Sequence, residues 1–559
     1  MNIRFIEPAA PDPLQEQRNA LARGAALAAM QALPEPDDAA TVQYHSKGRV
    51  LVVGNTAHAL ARADRLAQAL PVTLLLTDAE PDLLPARAYA IHAPRAVAVA
   101  GWLGAFEARW QATGQAAQQS SFDLVLDLSA SPLIATHQHP HGYYAPGQDE
   151  AARDAAVAEL LEMTGDFEKP KYFSYKEKLC AHSRNERTGC NACIDICSAK
   201  AIAGAGERIK VNPYLCAGCG ACTTVCPTGA ISYAYPSAPY NGSRIKSALR
   251  AYREAGGEQA LLLLHSQDHG AALLEQAGAE GLQLPARAIP LALHHAASTG
   301  IDLWLAALAY GASGVTVLLT GAEAPQYAAA LDQQMAIAQT VMDALGYQGP
   351  HFQLARAATP SELATALRHA PRGATCEQPA LFNVAADKRN TLDYALDHLY
   401  RNAPVQPESV PLPAGSPFGA IDVNRQKCSL CMACVGACPA SALMDGQNLP
   451  QLRFVEQNCV QCGLCADTCP EDAITLVPRL SFAETRRQPV LMAETQPFNC
   501  IRCGQPFGTL QMIENMLGKL SSHPAFEGHL DRIRMCGDCR VRDMMQPGGE
   551  LSVELRRPQ

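Results

Sequence analysis

Two stretches of the chain alternate apolar strand-length runs with amphipathic helical spacing. RVLVVG (Arg49 to Gly54) is a continuous apolar run closed by glycine, which suits a parallel strand covered on both faces. AHALARADRLAQAL then has helical spacing, VTLLLT reads as a second strand, and FDLVLDLSASPL (Phe122 to Leu133) as another strand of the same sheet. This predicts an α/β domain over 49–165, preceded by an N-terminal extension, 1–48. The alternation returns later. QALLLLHS (Gln259 to Ser266), LQLPARAIPLAL, GVTVLLTG (Gly314 to Gly321) and HFQLA predict strands. Helices are predicted around Leu303 to Tyr310, along the run to Leu345 and over PSELATALRHA, a doubly wound pattern spanning 241–402. PVQPESVPLPAGSPFG reads as a proline-rich linker, 403–419. In the tail, 481–559, Leu510, Ile513, Met516, Leu517 and Leu520 fall on one helical face.

Composition narrows the possibilities. At 559 residues the chain is too long for one core, and length suggests about three to five domains. With 45 basic and 54 acidic residues the formal charge is −9, which disfavours nucleic acid as the main partner. No uninterrupted apolar run reaches the roughly eighteen residues of a membrane span. MNIRFIEPAAPDPLQEQRN lacks the basic-then-apolar order of a signal peptide, so a soluble, cytoplasmic protein is expected.

Cysteine changes the picture most. There are 21, and only Cys376 stands alone. In a reducing compartment such clustering points to metal rather than disulfides. CAGCGACTTVCPTGAI (Cys216 to Ile231) reads C-x2-C-x2-C-x3-C-P, and CSLCMACVGACPASAL and CVQCGLCADTCPEDAI repeat the spacing. A fourth copy, CAHSRNERTGCNACIDICSAKAI, stretches the first gap to nine residues and puts Ser198 where the others have Pro227, Pro439 and Pro470. That serine is expected to loosen the turn without removing a ligand. Each copy runs on to an apolar pair, Ala201-Ile202, Ala230-Ile231, Ala442-Leu443 or Ala473-Ile474, expected to pack under a cluster.

The spacing is that of bacterial two-cluster 4Fe–4S ferredoxins, in which the fourth cysteine of each motif ligates the other cluster. Crossed ligation then predicts four cubanes. Cys180, Cys190, Cys193 and Cys226 would hold the first, and Cys216, Cys219, Cys222 and Cys197 the second. Cys428, Cys431, Cys434 and Cys469 would hold the third, and Cys459, Cys462, Cys465 and Cys438 the fourth. A three-cysteine first cluster, without Cys180, is the alternative created by the long gap. The modules are placed at 166–240 and 420–480.

CIRCGQPFG and MCGDC differ, because no third cysteine follows either knuckle. Cys500, Cys503, Cys536 and Cys539 suit one tetrahedral structural zinc, a zinc-ribbon-like tail, with a mononuclear iron or a fifth cluster as alternatives. His523 and His529 are expected at the surface rather than as ligands. His137, His139 and His141 alternate before a turn and are expected in a loop packed on a neighbouring domain, with metal binding the alternative. The His294-His295 pair is expected to be a satisfied loop feature. RVLVVG and its helix outline a Rossmann-like dinucleotide-binding unit, but GNTAHA has Gly54 as its only glycine and lacks the phosphate cradle.

Resemblance extends further. The run IPLALHHAASTGIDLWLAALAYGASGVTVLLTGAEAPQY is similar to the delta subunit of methyl-viologen-reducing hydrogenase, although it lacks that family's loop cysteines. The whole architecture, with CGQPFGTLQMIE and RMCGDCRVRDM, resembles multi-cluster ferredoxin-type proteins found alongside proteobacterial molybdenum formate dehydrogenases. The fold class expected is therefore multidomain: two Rossmann-like or doubly wound α/β domains alternating with two ferredoxin modules and a CxxC…CxxC tail. The function expected is electron transfer to or from a partner oxidoreductase, with a formate dehydrogenase system as the implied context. An oxidoreductase subunit using a flavin or nicotinamide nucleotide is one alternative, and an accessory or maturation protein for a metalloenzyme is another. An electron carrier is favoured over a stand-alone enzyme, and no catalytic residue is assigned. The first module, 166–235, carries nine Lys/Arg and six Asp/Glu, and the second, 420–479, carries four and six, giving +3 and −2. Reduction adds negative charge, so the second module is expected to be the lower-potential pair.

Overall fold

The computed structural model describes residues 12–79, 84, 86–112, 116–447, 449–523 and 529–545. The start of the N-terminal extension and the end of the tail lie outside these. Two compact units divide the chain. One runs to Lys176 and adds Ala192–Ala205 and Ile209–Pro404; the other takes Glu177–Asn191, Gly206–Arg208 and the chain from Val405.

The first unit opens with helix α1, Pro13–Gln31, which starts where the Asp12 carboxylate accepts the Leu14 N–H at 3.1 Å. A five-stranded parallel sheet follows, in the order Ala90–His92, Val72–Leu76, Val50–Gly54, Leu124–Leu128, Tyr143–Tyr144. Helices α2, Thr56–Leu66, and α3, Glu150–Glu162, cover one face through Ala59, Ala63, Leu66, Val157 and Leu160. The other face is covered by an antiparallel meander, Pro94–Ala100, Phe106–Ala112 and Gln118–Phe122, through Phe106, Trp110 and Phe122. A meander therefore stands where a doubly wound domain has helices. FEARW explains it, because Phe106, Ala108 and Trp110 are buried while Glu107 and Arg109 point outward, a period of two.

Two one-turn helices, α4 (Ala192–Ile196) and α5 (Ala221–Val225), carry cysteines of the first block. After them comes a four-stranded parallel sheet in the order Ala288–Leu293, Leu261–Ser266, Gly314–Leu319, Phe352–Arg356. Its helices are α6 (Ala238–Glu254), α7 (His269–Ala279), α8 (Ile301–Ala309), α9 (Pro325–Ala344), α10 (Pro360–Arg368) and α11 (Lys388–Arg401). Leu273 of α7 and Leu363 and Leu367 of α10 pack on Leu263 and Leu318 from one face. Helix α8 is buried at every residue and packs against α6, α9 and α11, so its run IDLWLAALA has no polar face. The one buried indole there, Trp304, donates to Thr299 Oγ1 at 3.2 Å. Part of the N-terminal extension belongs here, because α1 lies along α6. Another part, Thr41–Ser46, pairs antiparallel with Gly165–Pro170.

The second unit holds a sheet of Ser409–Pro411, Ile474–Ser481 and Gly419–Val423, all antiparallel. The expected linker over 403–419 is thus a correction: Ser409–Pro411 is an edge strand, a position that tolerates its proline. A second sheet joins Leu443–Asp445, Gln451–Phe454 and Val490–Glu494. Helices α12 (Ala433–Ala437) and α13 (Leu464–Asp467) complete this block around Ile421, Leu443, Leu452 and Phe454. The tail adds a hairpin, Pro497–Asn499 with Pro506–Thr509, then α14 (Leu510–Leu520), whose predicted apolar face buries Ile513, and α15 (Gly537–Met544). Among the described residues, no helix is long and apolar enough to cross a membrane.

Candidate metal centres

The four cysteine loops share a backbone signature that the cysteine spacing alone does not contain. The residue just before each apolar pair is left-handed: Lys200, Gly229, Ser441 and Asp472, with φ of 51°, 71°, 51° and 46°. That turn aims the following alanine N–H back at sulfur. Ala201, Ala442 and Ala473 donate to Cys197, Cys438 and Cys469 Sγ at 3.2, 3.3 and 3.3 Å. In the remaining loop Thr228 Oγ1 intervenes, accepting from Ala230 N at 3.2 Å and lying 3.5 Å from Cys226 Sγ. The regular loops also hold two left-handed residues each between the first and third cysteines: Gly218 and Gly220, Leu430 and Met432, Gln461 and Gly463. Non-glycine residues there cost roughly 1–3 kcal/mol each. The loop shape is therefore maintained against local preference.

Three of the cross-linked sets are brought together. Cys438 shares one small cavity with Cys459, Cys462 and Cys465, walled by Leu443, Phe454 and Leu464. Burial pushes the Cys434 thiol up to about 12, with Cys428, Cys431 and Cys469 adding to it. Burial also raises Cys222, reinforced by Cys219, Cys216 and Cys197 and also by Cys193 of the first set. To ligate a metal these thiols must give up their protons, so binding releases protons to solvent.

The long gap of the first loop folds out as a hairpin. Ser183 and Arg184 pair with Thr188 and Arg187, and Cys190 N donates to Ala181 O at 3.0 Å. Nine intervening residues therefore still return Cys190 beside Cys180. Arg184 donates to the Cys180 carbonyl at 3.0 Å. The hairpin also meets the fourth loop: a methyl added at Gly189 would lie 2.5 Å from Leu464 Cγ. Cys190 is close enough to Cys462 to help raise its thiol, which burial chiefly drives up to about 11.

Ser198 is tied down rather than loosened. Its hydroxyl bonds Gln138 Oε1 at 3.1 Å and the Tyr327 hydroxyl, so the loop expected to relax is fastened to both α/β domains of its unit. Tyr327, Ala324 and Ala297 pack on Ile196, Cys219 and Cys222. These residues lead away from the carboxyl ends of two parallel strands, where open α/β sheets place ligands. A cysteine loop occupies that position here.

Two lysines were not legible in sequence. Lys388, half-buried, donates to the carbonyls of Thr223, Thr224 and Cys226, the first and last at 3.2 Å, capping the carboxyl end of α5. Burial lowers its pKa. Lys169 donates to Tyr214 O and Cys216 O, both at 2.8 Å, and burial brings it down to about 8. Neither carries a motif, because each is distant in sequence from the cysteine it serves.

The tail is built on a different scale. Sγ atoms of Cys500, Cys503, Cys536 and Cys539 all lie within 4.8 Å of one another, with Cys503 and Cys536 at 3.7 Å. Four thiolates held at ~2.3 Å around one tetrahedral ion would lie ~3.8 Å apart. Cys500 and Cys539 are buried, and Cys500 Sγ accepts Cys536 N at 3.3 Å. Burial opposes ionisation of Cys500, yet backbone N–H groups of Cys536, Cys503 and Arg502 bring it to about 6. The set fits a single ion. His523 and His529 are not in it, and among the described residues no other group of three ligands converges as closely.

The remaining candidates take structural places. His137 Nε2 bonds Ala322 O at 3.0 Å, His139 meets the Tyr143 ring edge-on and His141 meets Tyr44, so the three rings face different partners. His295 Nδ1 accepts Ala297 N, and burial takes its pKa to about 4. Cys376 is buried and donates to Gln378 O at 3.3 Å.

Comparison with family models matches a 4Fe-4S dicluster domain over residues 427–474 and another over 186–230, the latter leaving Cys180 outside. A search of curated proteins matches none to this chain. The two matched domains and their cysteine loops mark an iron–sulfur, electron-transfer protein of multi-cluster ferredoxin type.

Proposed function

We propose that the chain is an electron conduit of four 4Fe–4S cubanes, ligated in the crossed sets given above, with one structural zinc in the tail. It passes single electrons between a partner oxidoreductase and an acceptor. The family resemblance points to a formate dehydrogenase system as that partner, and a cytoplasmic place is part of the same reading. The clusters supply the one-electron chemistry; the chain holds them close, excludes water and sets their potentials.

The observation that carries this reading is the left-handed turn geometry shared by the four cysteine loops, together with the two dicluster matches. Within the second compact unit, the close approach of Gly189, beside Cys190, to Leu464, beside Cys465, supports exchange between these two cysteine loops. Two separate ferredoxins on one chain would need no such approach. The zinc in the tail rests on the ion-sized spacing of its four sulfurs.

Metal analysis tests the count. Anaerobically purified protein is expected to hold about sixteen iron, sixteen acid-labile sulfide and one zinc per chain. Iron near eight with one dicluster domain fully loaded would sink the four-cluster reading. Iron above about eighteen without zinc would give the tail site to iron. That exchange has its own test. Gly189→Val should push the hairpin off Leu464 and slow electron exchange between the two cluster pairs at least several-fold, with iron content unchanged. Unaltered exchange would remove the link.

A further inference from the structure

A cleft of ≈ 810 Å³ lies in the first unit, beside the second α/β sheet. It is bounded by the carboxyl half of α1 and the loop after it, the start of α6, and the ends of the strands Leu261–Ser266 and Ala288–Leu293. That volume is within the range of small-molecule and cofactor sites.

Its polar groups point to one kind of ligand. Arg244 lines the cleft and spends Nη1 on Ala292 O at 2.9 Å and Asn241 Oδ1 at 3.3 Å, but pairs with no carboxylate among the described residues. Helix α6 begins there with no capping side chain and no acidic residue in its first turn. An unpaired guanidinium beside an uncapped helix start favours a phosphate. His265, 6 % exposed, engages Ser266 O through Nδ1 at 3.0 Å, which leaves Nε2 without a partner among the described residues. With Nδ1 donating to that carbonyl, the neutral ring offers the Nε2 lone pair to a ligand N–H or O–H, and burial lowers its pKa in the same direction. On the rim, Asp37 and Asp38 are exposed carboxylates of the kind that bind sugar hydroxyls.

The aromatic wall connects the cleft to a cluster loop. His294 stacks on Tyr172 at 5.0 Å and 18°, and Tyr235 meets both rings edge-on at 5.2 and 5.5 Å. Tyr172 also covers Gly218, between Cys216 and Cys219, so closely that a methyl there would lie 2.8 Å from the ring. A planar ligand on His294 and Tyr235 would be one aromatic layer from that loop.

We propose that this cleft binds a flavin nucleotide, its ring on Tyr235 and His294 and its phosphate toward Arg244, and that it exchanges electrons with the cluster on Cys216, Cys219, Cys222 and Cys197. A nicotinamide moves two electrons as hydride, whereas cubanes accept one, and a flavin divides the pair. The reduced flavin loses two electrons and releases two protons to solvent. Two cubanes each take one electron, passing from the 2+ to the 1+ state. The electron route rests on the four-cluster reading above; binding does not.

Full-length protein, purified anaerobically and desalted, is titrated with FMN and with FAD and followed by flavin fluorescence and equilibrium dialysis. One saturable site per chain with quenched fluorescence is expected. Arg244→Gln should weaken binding at least ten-fold. Tyr235→Leu, at a ring 36 % exposed and outside the core, should weaken it and relieve the quenching. Arg356→Gln, in an exposed pair with Asp332, serves as the control and should change nothing. No saturable binding up to millimolar flavin, binding unaffected by both cleft variants, or preference for NADH over either flavin would overturn the assignment. Reduced FMN should then reduce clusters in wild type faster than in Arg244→Gln. Flavin bound without cluster reduction in protein with full iron content would overturn the electron route and leave the binding site standing.

Discussion

Cys226→Ala should remove the cluster held by Cys180, Cys190 and Cys193, although Cys226 belongs to the motif that follows it. Three closely spaced thiolates wrap one face of a cubane, and the fourth cysteine of each motif lies beyond the helix that follows. Cys226 ends α5, where Thr228 rather than a backbone N–H approaches its sulfur. The cluster on Cys216, Cys219, Cys222 and Cys197 keeps all four ligands in this variant. Iron should therefore fall from about sixteen to about twelve per chain, and one of two cluster spectra in that dicluster domain should vanish. Loss confined to the cluster built on Cys216, Cys219 and Cys222 would mean that ligation runs within each motif.

The second large effect is on reduction potential. The charges by sequence, +3 and −2, predict the higher potential for the first module, and two lysines near its cysteine loops are expected to widen the difference. Lys388 and Lys169 address the carbonyls of Cys226 and Cys216 directly, the first half-buried and the second buried, so both are screened less than surface charges. In the second module, Arg479 is matched by Glu456 at 2.7 and 2.8 Å, so one of its four cations is spent on an acid. A unit charge ~8 Å from a cluster, through an effective dielectric of ~20, is worth roughly 2 kcal/mol, or about 90 mV for one electron. Lys388→Met should accordingly lower the potential of the cluster that Cys226 serves by about 50–100 mV. It should also destabilise the fold, since three buried carbonyls lose their donor. Redox titration with EPR detection checks both statements. Electrons should run from the second module toward the first; equal midpoints, or a higher pair in the second module, would remove that direction.

Cluster chemistry was legible in the sequence because its information is local. A cubane needs thiolates at fixed short spacings, so three loops could be recognised from C-x2-C-x2-C-x3-C alone, and the parallel strands from apolar runs such as RVLVVG and QALLLLHS. The two-knuckle tail was legible for the same reason, as four thiols without a third cysteine near either pair. What the spacing could not carry was anything that depends on distant partners. The nine-residue gap after Cys180 reads as slack in the sequence, yet backbone pairing folds it into a hairpin that meets Leu464. Ser198 reads as a weakened turn until Tyr327 and Gln138, from two other domains, reach its hydroxyl. The proline-rich run over 403–419 has linker composition, but an edge strand needs few backbone donors and accepts Ser409–Pro411. Lys388 lies more than 160 residues from the carbonyls it caps, a relation with no sequence period to reveal it. Spacing along the chain determined which residues can hold clusters. Burial, charge and the approach of one cluster loop to another were decided only when long-range packing brought those distant groups together.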